Sequence, residues 1–362
     1  MMGATALILA AGEGTRMKSS LPKVAHRILG VPMVGHAVAA ARGAGCDRVI
    51  VVTGHRAEVV ESIVHDVEFV RQDRQLGTGH AVMCAEEALS AASGSLLVLA
   101  GDCPLLTSGT LMRLIAARED AGAACSVLTT RLEDPTGYGR VVRDSDGSIA
   151  AIVEHKDLAE GQHAIDEVNT STYCFDTVAL FEHLHRLQNA NAQGEYYLTD
   201  MVAHFRDAGL GVVAVEAADP DETLGVNSRV QLSEAASVLQ RRINERHMLN
   251  GVTMTDPGLV WIGPDVEIGR DTVIEPLTFV LGDTVIGEEC VLGPGSRLTD
   301  CRIGDGCRVD DSVLTGVVVS DHETVGPWIR RIEGAEVAGD GAPEVSEAAH
   351  TDTIPCDDGL HG

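Results

Sequence analysis

A chain of 362 residues with a net charge of −27 has room for two or three domains and a sizeable core. Its overall field repels nucleic acid and anionic membrane, which excludes those partners, and no stretch approaches the ~20 apolar residues of a membrane span. Its nine cysteines show no CxxC and no Cys/His ligand spacing. Their odd number, and an apolar start (MMGATALILAAGEG) without a basic leader region, point to reduced thiols in the cytoplasm.

Residues 6–11 form a short apolar run that reads as a fully buried strand ended by Gly12. Gly12 and Gly14 let the backbone approach a ligand closely and leave its N–H groups free, and Arg16, Lys18 and Lys23 follow. A strand that empties into a glycine-rich, basic loop is how α/β proteins hold phosphates. Of the 27 basic residues only three are lysines, Lys18, Lys23 and Lys156, and two of them stand here. An ammonium is a compact point charge suited to a phosphate in a tight site, and arginine is not its equivalent. Met17 stands where a dinucleotide fingerprint needs a small residue, and no Gly-Lys-Ser/Thr ending makes this a Walker loop.

Beyond the loop the spacing predicts a helix over 33–44, a strand over 48–53, a helix over 58–64, a strand over 67–71, a helix over 78–89 and a strand over 95–100. This alternation argues for a mostly parallel, doubly wound sheet, with the ligand beyond the carboxyl ends of the strands. Two features fall at those ends. In residues 72–80, QDRQLGTGH, glycines free the backbone, and glutamine amides offer paired donors and acceptors suited to a base edge. Gly101-Asp102 follows an apolar strand directly, so the carboxylate points into the crevice and suits a hard divalent cation. A turn or N-cap aspartate is the alternative reading. His80 reads as a helix residue with a structural hydrogen bond, and Cys103 as a small buried residue.

From residue 122 to about 217 the pattern changes to strands with shorter links. Residues 134–140 form a turn entering a strand, 149–154 a strand ending at Glu154, and 167–173 begin another; 189–200 form a loop leading into a helix, and 212–216 a further strand. Glycine backbone with Glu154 and Asn169 would suit a sugar, whose hydroxyls want acceptors and donors, although each of these residues taken singly has a structural reading too. The GEYYLTD segment, 194–200, reads mainly as support for the pocket.

Residues 230–249 read as a long amphipathic connecting helix, with Leu232, Leu239, Ile243 and Met248 roughly on one face. Then Ile262, Ile268, Ile274, Val280, Ile286, Leu292 and Leu298 recur every six residues, followed by Ile303, Val309 and, more loosely, Val325. A six-residue period is the signature of a parallel β-helix, here of three to four coils. The register is expected to fade between Val309 and Val325 and to stop near Trp328. Residues 331–362 read as an acidic disordered tail, since after Arg331 there is no lysine or arginine.

With Gly12–Met17 and Pro22-Lys23 in register, the loop resembles the signature of the sugar-phosphate nucleotidyltransferases. LPKVAH, QLGTGHA, DPTGYGR, IVEHKD, NAQGEYYLTD and GVNSRVQL, in that order, make the match more particular. Residues 5 to about 328 resemble the bacterial bifunctional N-acetylglucosamine-1-phosphate uridylyltransferase/glucosamine-1-phosphate acetyltransferases, the GlmU family. The resemblance implies an α/β, Rossmann-like nucleotidyltransferase domain over 1–228, a connecting helix over 229–251 and a short left-handed β-helix over 252–330. It implies a cytoplasmic enzyme of cell-wall precursor synthesis that joins UTP and N-acetylglucosamine-1-phosphate, with Mg2+, and that trimerises through the β-helix. By the same resemblance Leu9, Ala10, Ala11, Gly12, Gln72, Gly77 and Thr78 would line the uridine site, with Gly101 beside it. Gly139, Glu154 and Asn169 would hold the sugar, Arg16 and Lys23 the phosphates, and Asp102 and Asn227 the magnesium. Two departures stand out. Ser171 occupies a position that is usually glycine in the family, and the β-helix is shorter, so acetyl transfer is not expected. Another sugar-1-phosphate or nucleotide, or a non-catalytic β-helix scaffold, are the readings that compete with this one.

Overall fold

The computed structural model describes residues 3–333; the expected tail lies outside the described residues from 334 onward. The first domain is built on one mixed sheet. Across it the strands run Val212–Glu216, Cys125–Arg131, Glu167–Asp176, Ser95–Ala100, Ala4–Leu9, Cys46–Thr53 and Glu68–Arg71. Every neighbour pair on that path is parallel except those of Glu167–Asp176, which runs antiparallel to both its neighbours. The hairpin Arg140–Arg143/Ile149–Val153 hangs from this reversed strand through the Arg140–Val168 pairing.

The strands are buried on both faces, as apolar runs without alternation demand. Leu7, Ile50, Val98 and Phe175 pack on one side, and Ala6, Ile8, Val51 and Leu99 on the other. The helix Ser108–Asp120 was not foreseen. Its start is marked by Thr107, whose hydroxyl accepts from the Thr110 amide, and Leu111 and Leu114 one turn apart enter the core. The helix expected over 78–89 is two pieces, Thr78–Cys84 and Glu86–Leu89.

The connecting helix Arg229–Leu249 is capped by the Ser228 hydroxyl accepting from Gln231 N. Its apolar stripe is divided between two partners. Leu232 packs with Ile28, Met33 and Leu105 of the first domain, Ile243 belongs to the β-helix core, and Met248 is exposed instead of joining them. Asn244 and Gln240 donate to the Val260 carbonyl, while Arg242 donates to the Leu105 carbonyl and pairs with Asp219. Side chains of one helix thus hold both domains.

The C-terminal domain is a left-handed β-helix of three parallel sheets, two of five strands and one of four. Among the described residues four coils are complete and a fifth has two strands. Ladders of buried side chains run up its inside, for example Ile274, Leu292, Val309 and Val325. The step between paired strands begins at twenty residues, Thr253 pairing with Val273, settles at eighteen, Val260 with Thr278, and shortens to sixteen, Arg302 with Val318. The register therefore does not fade after Val309. Leu314 and Val319 continue it with shortened turns, and both are buried. The last strand, Arg330–Ile332, places Arg331 opposite the buried Leu314, and the guanidinium pairs with Glu323 at 3.0 Å. Arg331 thus stands at the ladder position that Val280, Leu298 and Leu314 hold in the coils before it.

Candidate active site

A cleft of about 440 Å³ opens at the carboxyl ends of the parallel strands. Leu9, Ala10, Ala11 and Gly12 line it where the strand Ala4–Leu9 ends. Among the described residues no carbonyl accepts from the amides of Gly12, Glu13 or Gly14, which leaves them for an anion. A Cβ at Gly12 would stand in open space, and one at Gly14 (φ 66°) would come within 2.5 Å of the Lys23 Cβ. The second glycine thus lets the loop lie directly on the stem of the lysine.

Lys23 begins a short turn after Pro22. Its ammonium donates to the Asp102 carboxylate and to Asn227 Oδ1 at 2.9 Å, residues 79 and 204 positions away in the chain. Both carboxylate and ammonium are largely shielded from solvent. Asp102 is set by its neighbour, since the Gly101 amide donates to Leu9 O at 2.9 Å and so ties the ends of two adjacent strands. Val226 N donates to Asp102 O at 2.9 Å, which brings Asn227 alongside. Asn227 N is taken by Gln231 Oε1, and Arg229 Nε donates to Met17 O at 3.3 Å. The start of the connecting helix is therefore fastened to the phosphate loop. The turn reading of Asp102 fails as a full account, because its carboxylate is turned to a cation and not to a helix amide.

The donor set fits a hard divalent ion. Two oxygens, one carboxylate and one amide, already converge on one positive centre. Among the described residues no group of three or more His, Cys, Asp or Glu forms a closed cage, so an ion here would take its remaining ligands from phosphates and water, as magnesium commonly does.

At one end of the cleft Gln72 is buried, and its amide nitrogen donates to Gly77 O at 3.1 Å and faces His80 Nδ1 at 3.0 Å. His80 thus has the structural bond expected of it, and Gln72 braces the loop it lines. Gly77 (φ 105°) touches the segment at 194–200: a Cβ there would lie 2.6 Å from Tyr196 O. Tyr196 N donates to Leu76 O, Gly79 N to Tyr196 O, and Leu198 N to the Thr78 hydroxyl. That segment does support the pocket, and its Glu195, Leu198 and Thr199 line it as well, which the sequence reading missed.

Beyond that segment the wall continues with Glu154, Ser171 and Tyr173, Glu154 being reached through Thr199. Glu154 accepts from the Thr199 hydroxyl at 3.2 Å. Burial first, then the nearby Asp200, Asp157 and Glu195 charges, raise its carboxyl above the ordinary glutamate range. Gly139 leaves Glu154 its room, a Cβ there lying 3.5 Å from both carboxylate oxygens. Asn169 is buried behind the wall: its backbone amide donates to Gly139 O at 2.9 Å and its side-chain amide to the Tyr173 hydroxyl at 2.8 Å. Arg16 is exposed on the phosphate loop. Tyr138 was not singled out from sequence. It lies within electrostatic reach of Asp102 and Arg16, and burial pushes its hydroxyl up. Nothing but its place in DPTGYGR could have marked it.

Nucleotide-sized cleft, amide-rich loop and a lysine gripped by two oxygens define the class, a nucleotidyltransferase domain carrying a hexapeptide β-helix. The MobA-like NTP transferase domain model matches residues 6–196, and the bacterial transferase hexapeptide model, of six repeats, matches 265–300. The chain belongs to the GlmU family. It is 46% identical over 338 residues to the bifunctional protein GlmU of Shouchella clausii, covering 93% of this chain and 74% of that one. It is 50% identical over 324 residues to that of an Exiguobacterium species (89% and 72%), and 49% over 323 to that of Caldanaerobacter subterraneus (89% and 70%). No described helix is long and apolar enough to cross a membrane.

Proposed function

We propose that the chain is a uridylyltransferase that makes UDP-N-acetylglucosamine and pyrophosphate from UTP and N-acetylglucosamine-1-phosphate. The observation that carries this is the Lys23 ammonium held between Asp102 and Asn227 at a cleft lined by free loop amides. A sugar-1-phosphate oxygen is ionised at neutral pH, so no general base is required. That oxygen attacks the α-phosphorus of UTP, a new P–O bond forms, the α–β bridging P–O bond breaks, and pyrophosphate leaves with the bridging electrons. The protein's work is to bring two polyanions together in line and to balance their charge.

Lys23 supplies charge at the α-phosphate, the amides of residues 12–14 hold the triphosphate, and Arg16 favours the departing pyrophosphate. Leu9 to Gly12, Gln72, Gly77 and Thr78 take the uridine, with Gly101 beside them. Glu154 holds sugar hydroxyls, with Gly139 and Asn169 setting its end of the cleft. Asp102 and Asn227 hold the divalent cation, which we infer to be Mg2+, and which when bound neutralises phosphate charge. In this reading the enzyme works in the cytoplasm and assembles as a trimer through its β-helix.

The test is purified protein with UTP, N-acetylglucosamine-1-phosphate and Mg2+, the product identified by mass. UDP-N-acetylglucosamine is expected, and no pyrophosphate with any triphosphate or sugar phosphate would overturn the reading. Excess EDTA is expected to stop turnover; undiminished turnover would sink the metal assignment. Light scattering is expected to give three chains per particle, and monomer alone at micromolar concentration would count against the trimer. With acetyl-CoA and glucosamine-1-phosphate, this polypeptide is expected to release thiol only at the no-enzyme rate. Release above that rate, lost when residues 252–362 are deleted, would reverse that expectation.

A further inference from the structure

The reversed strand Glu167–Asp176 is buried from Glu167 to Phe175 except at Ser171, which is exposed and lines the cleft. The cause is a bulge. Asn169 pairs with Thr129 and Tyr173 with Val127, so four steps on this strand face two on its neighbour. Residues 170 to 172 arch out, and the arch is fixed at its feet. The Thr170 hydroxyl donates to Leu128 O at 2.8 Å, Thr170 and Thr172 are buried, and Ser171 N donates to Asn169 Oδ1 at 3.3 Å.

Ser171 sits at φ 57°, in the left-handed region where a Cβ is unfavourable. A glycine would take this conformation freely. The serine puts a Cβ and a hydroxyl into the cleft instead. Among the described residues its hydroxyl has no protein partner, so it is free for a ligand. It stands with the Glu154 carboxylate and the Thr199 hydroxyl, at the end furnished with hydroxyls and a carboxylate, the partners a sugar needs. Strain kept at a cleft wall, on a rigid arch, is a feature that a binding role explains and packing does not.

We propose that Ser171 is a specificity-determining residue of the sugar end: its Cβ limits the bulk of the sugar-1-phosphate accepted, and its hydroxyl hydrogen-bonds the sugar. This rests on the uridylyltransferase reading. A wall that excludes one or a few methylenes discriminates by roughly 10- to 200-fold, and a residue confined to the sugar end leaves the nucleotide untouched.

The experiment compares native protein, Ser171→Gly and Ser171→Ala on N-acetylglucosamine-1-phosphate and on analogues enlarged by N-butanoyl or 6-O-methyl groups. Ser171→Gly removes both Cβ and hydroxyl; Ser171→Ala keeps the Cβ and the backbone strain. In Ser171→Gly, kcat/KM for at least one enlarged analogue relative to the parent sugar is expected to rise about tenfold, with the KM for UTP unchanged. Ser171→Ala is expected to keep the native ratio while its KM for the parent sugar rises several-fold. An active Ser171→Gly enzyme with unchanged ratios, or one whose KM for UTP shifts as much as that for the sugar, overturns the proposal alone. Native protein that turns over none of these sugar phosphates overturns the function reading, and this inference with it.

Discussion

The two domains reach their order by opposite routes. In the β-helix each strand pairs with one only sixteen to twenty residues away, and the inside is a set of apolar ladders. In the cleft the decisive contacts join Lys23 to Asp102 and Asn227, 79 and 204 residues apart, and tie an ammonium to a carboxylate and a neutral amide oxygen. The first kind of order repeats, so the loss of one side chain is a loss of packing. The second does not repeat, and each partner is needed to justify the desolvation of the others. Substitutions in the two places should therefore fail differently.

The largest effect is expected at the charged centre. Lys23→Ala should lower kcat by roughly 10²–10³, about the loss on removing one preorganised charge donor, and Asp102→Ala by at least as much. Lys18→Ala should cost far less, because Lys18 is exposed and only closes the turn Thr15–Met17. Steady-state pyrophosphate release measures all three. If Lys18 proved the more damaging loss, the phosphates are in the wrong place.

In the β-helix, Leu292→Ala deletes a fully buried rung and should destabilise that domain by about 2–5 kcal/mol. Calorimetry is expected to show the β-helix transition lowered while kcat at 25 °C stays within about twofold of native, the change a surface or distant substitution leaves. A parallel fall in kcat would show that the helix Arg229–Leu249, which holds Met17 through Arg229 and the coils through Asn244, transmits the damage.

How far the sequence could be read follows the same division. The ladder residues from Ile262 to Leu298 were legible because an inward position every six residues is a pattern that packing imposes. Beyond Val309 the shortened turns hid Leu314 and Val319, although the inside of the coil did not change. In the first domain the strand ends marked Gly12 and Asp102, since a buried strand must empty somewhere. The grip of Asp102 and Asn227 on Lys23 was not legible, because no local pattern records which distant oxygens a lysine meets. Met248 misled, because a helix shared between two bodies does not present one continuous face. Ser171 was visible as a departure, but only the bulge shows that it meets the cleft.

A smaller effect is expected from Glu154. A sugar hydroxyl needs the carboxylate as acceptor, and burial raises this pKa. As pH falls through the raised value, KM for the sugar phosphate should climb, starting at a higher pH than an ordinary glutamate would cause. Glu154→Gln should flatten that limb. The stability sign is the opposite of a salt-bridged acid. A carboxyl with a raised folded pKa contributes stability that is present below its unfolded value and lost as pH rises through the folded one. At neutral pH Glu154→Gln should therefore be no less stable than native, and denaturant unfolding at pH 7 checks this. A clear loss of stability would mean that Glu154 is paired in a way its Thr199 bond does not account for.

The smallest effect is expected on stability at Ser171, and its sign is the informative part. The left-handed backbone costs a residue with a Cβ about 1–2 kcal/mol. Glycine avoids that cost but brings greater freedom to the unfolded chain, worth about 0.5–1 kcal/mol against it. The Asn169 bond to the Ser171 amide survives either way, because it uses backbone. Ser171→Gly should thus gain up to about 1.5 kcal/mol, while Ser171→Ala should gain nothing, since it keeps the Cβ. Unfolding of the first domain, followed at the same pH for all three proteins, separates the outcomes. Glycine more stable than serine, with alanine level, means that the chain holds an unfavourable residue against the cleft at the expense of its own fold. Glycine less stable than serine would mean that the hydroxyl holds the arch together, and that Ser171 belongs with the packing residues of the strand.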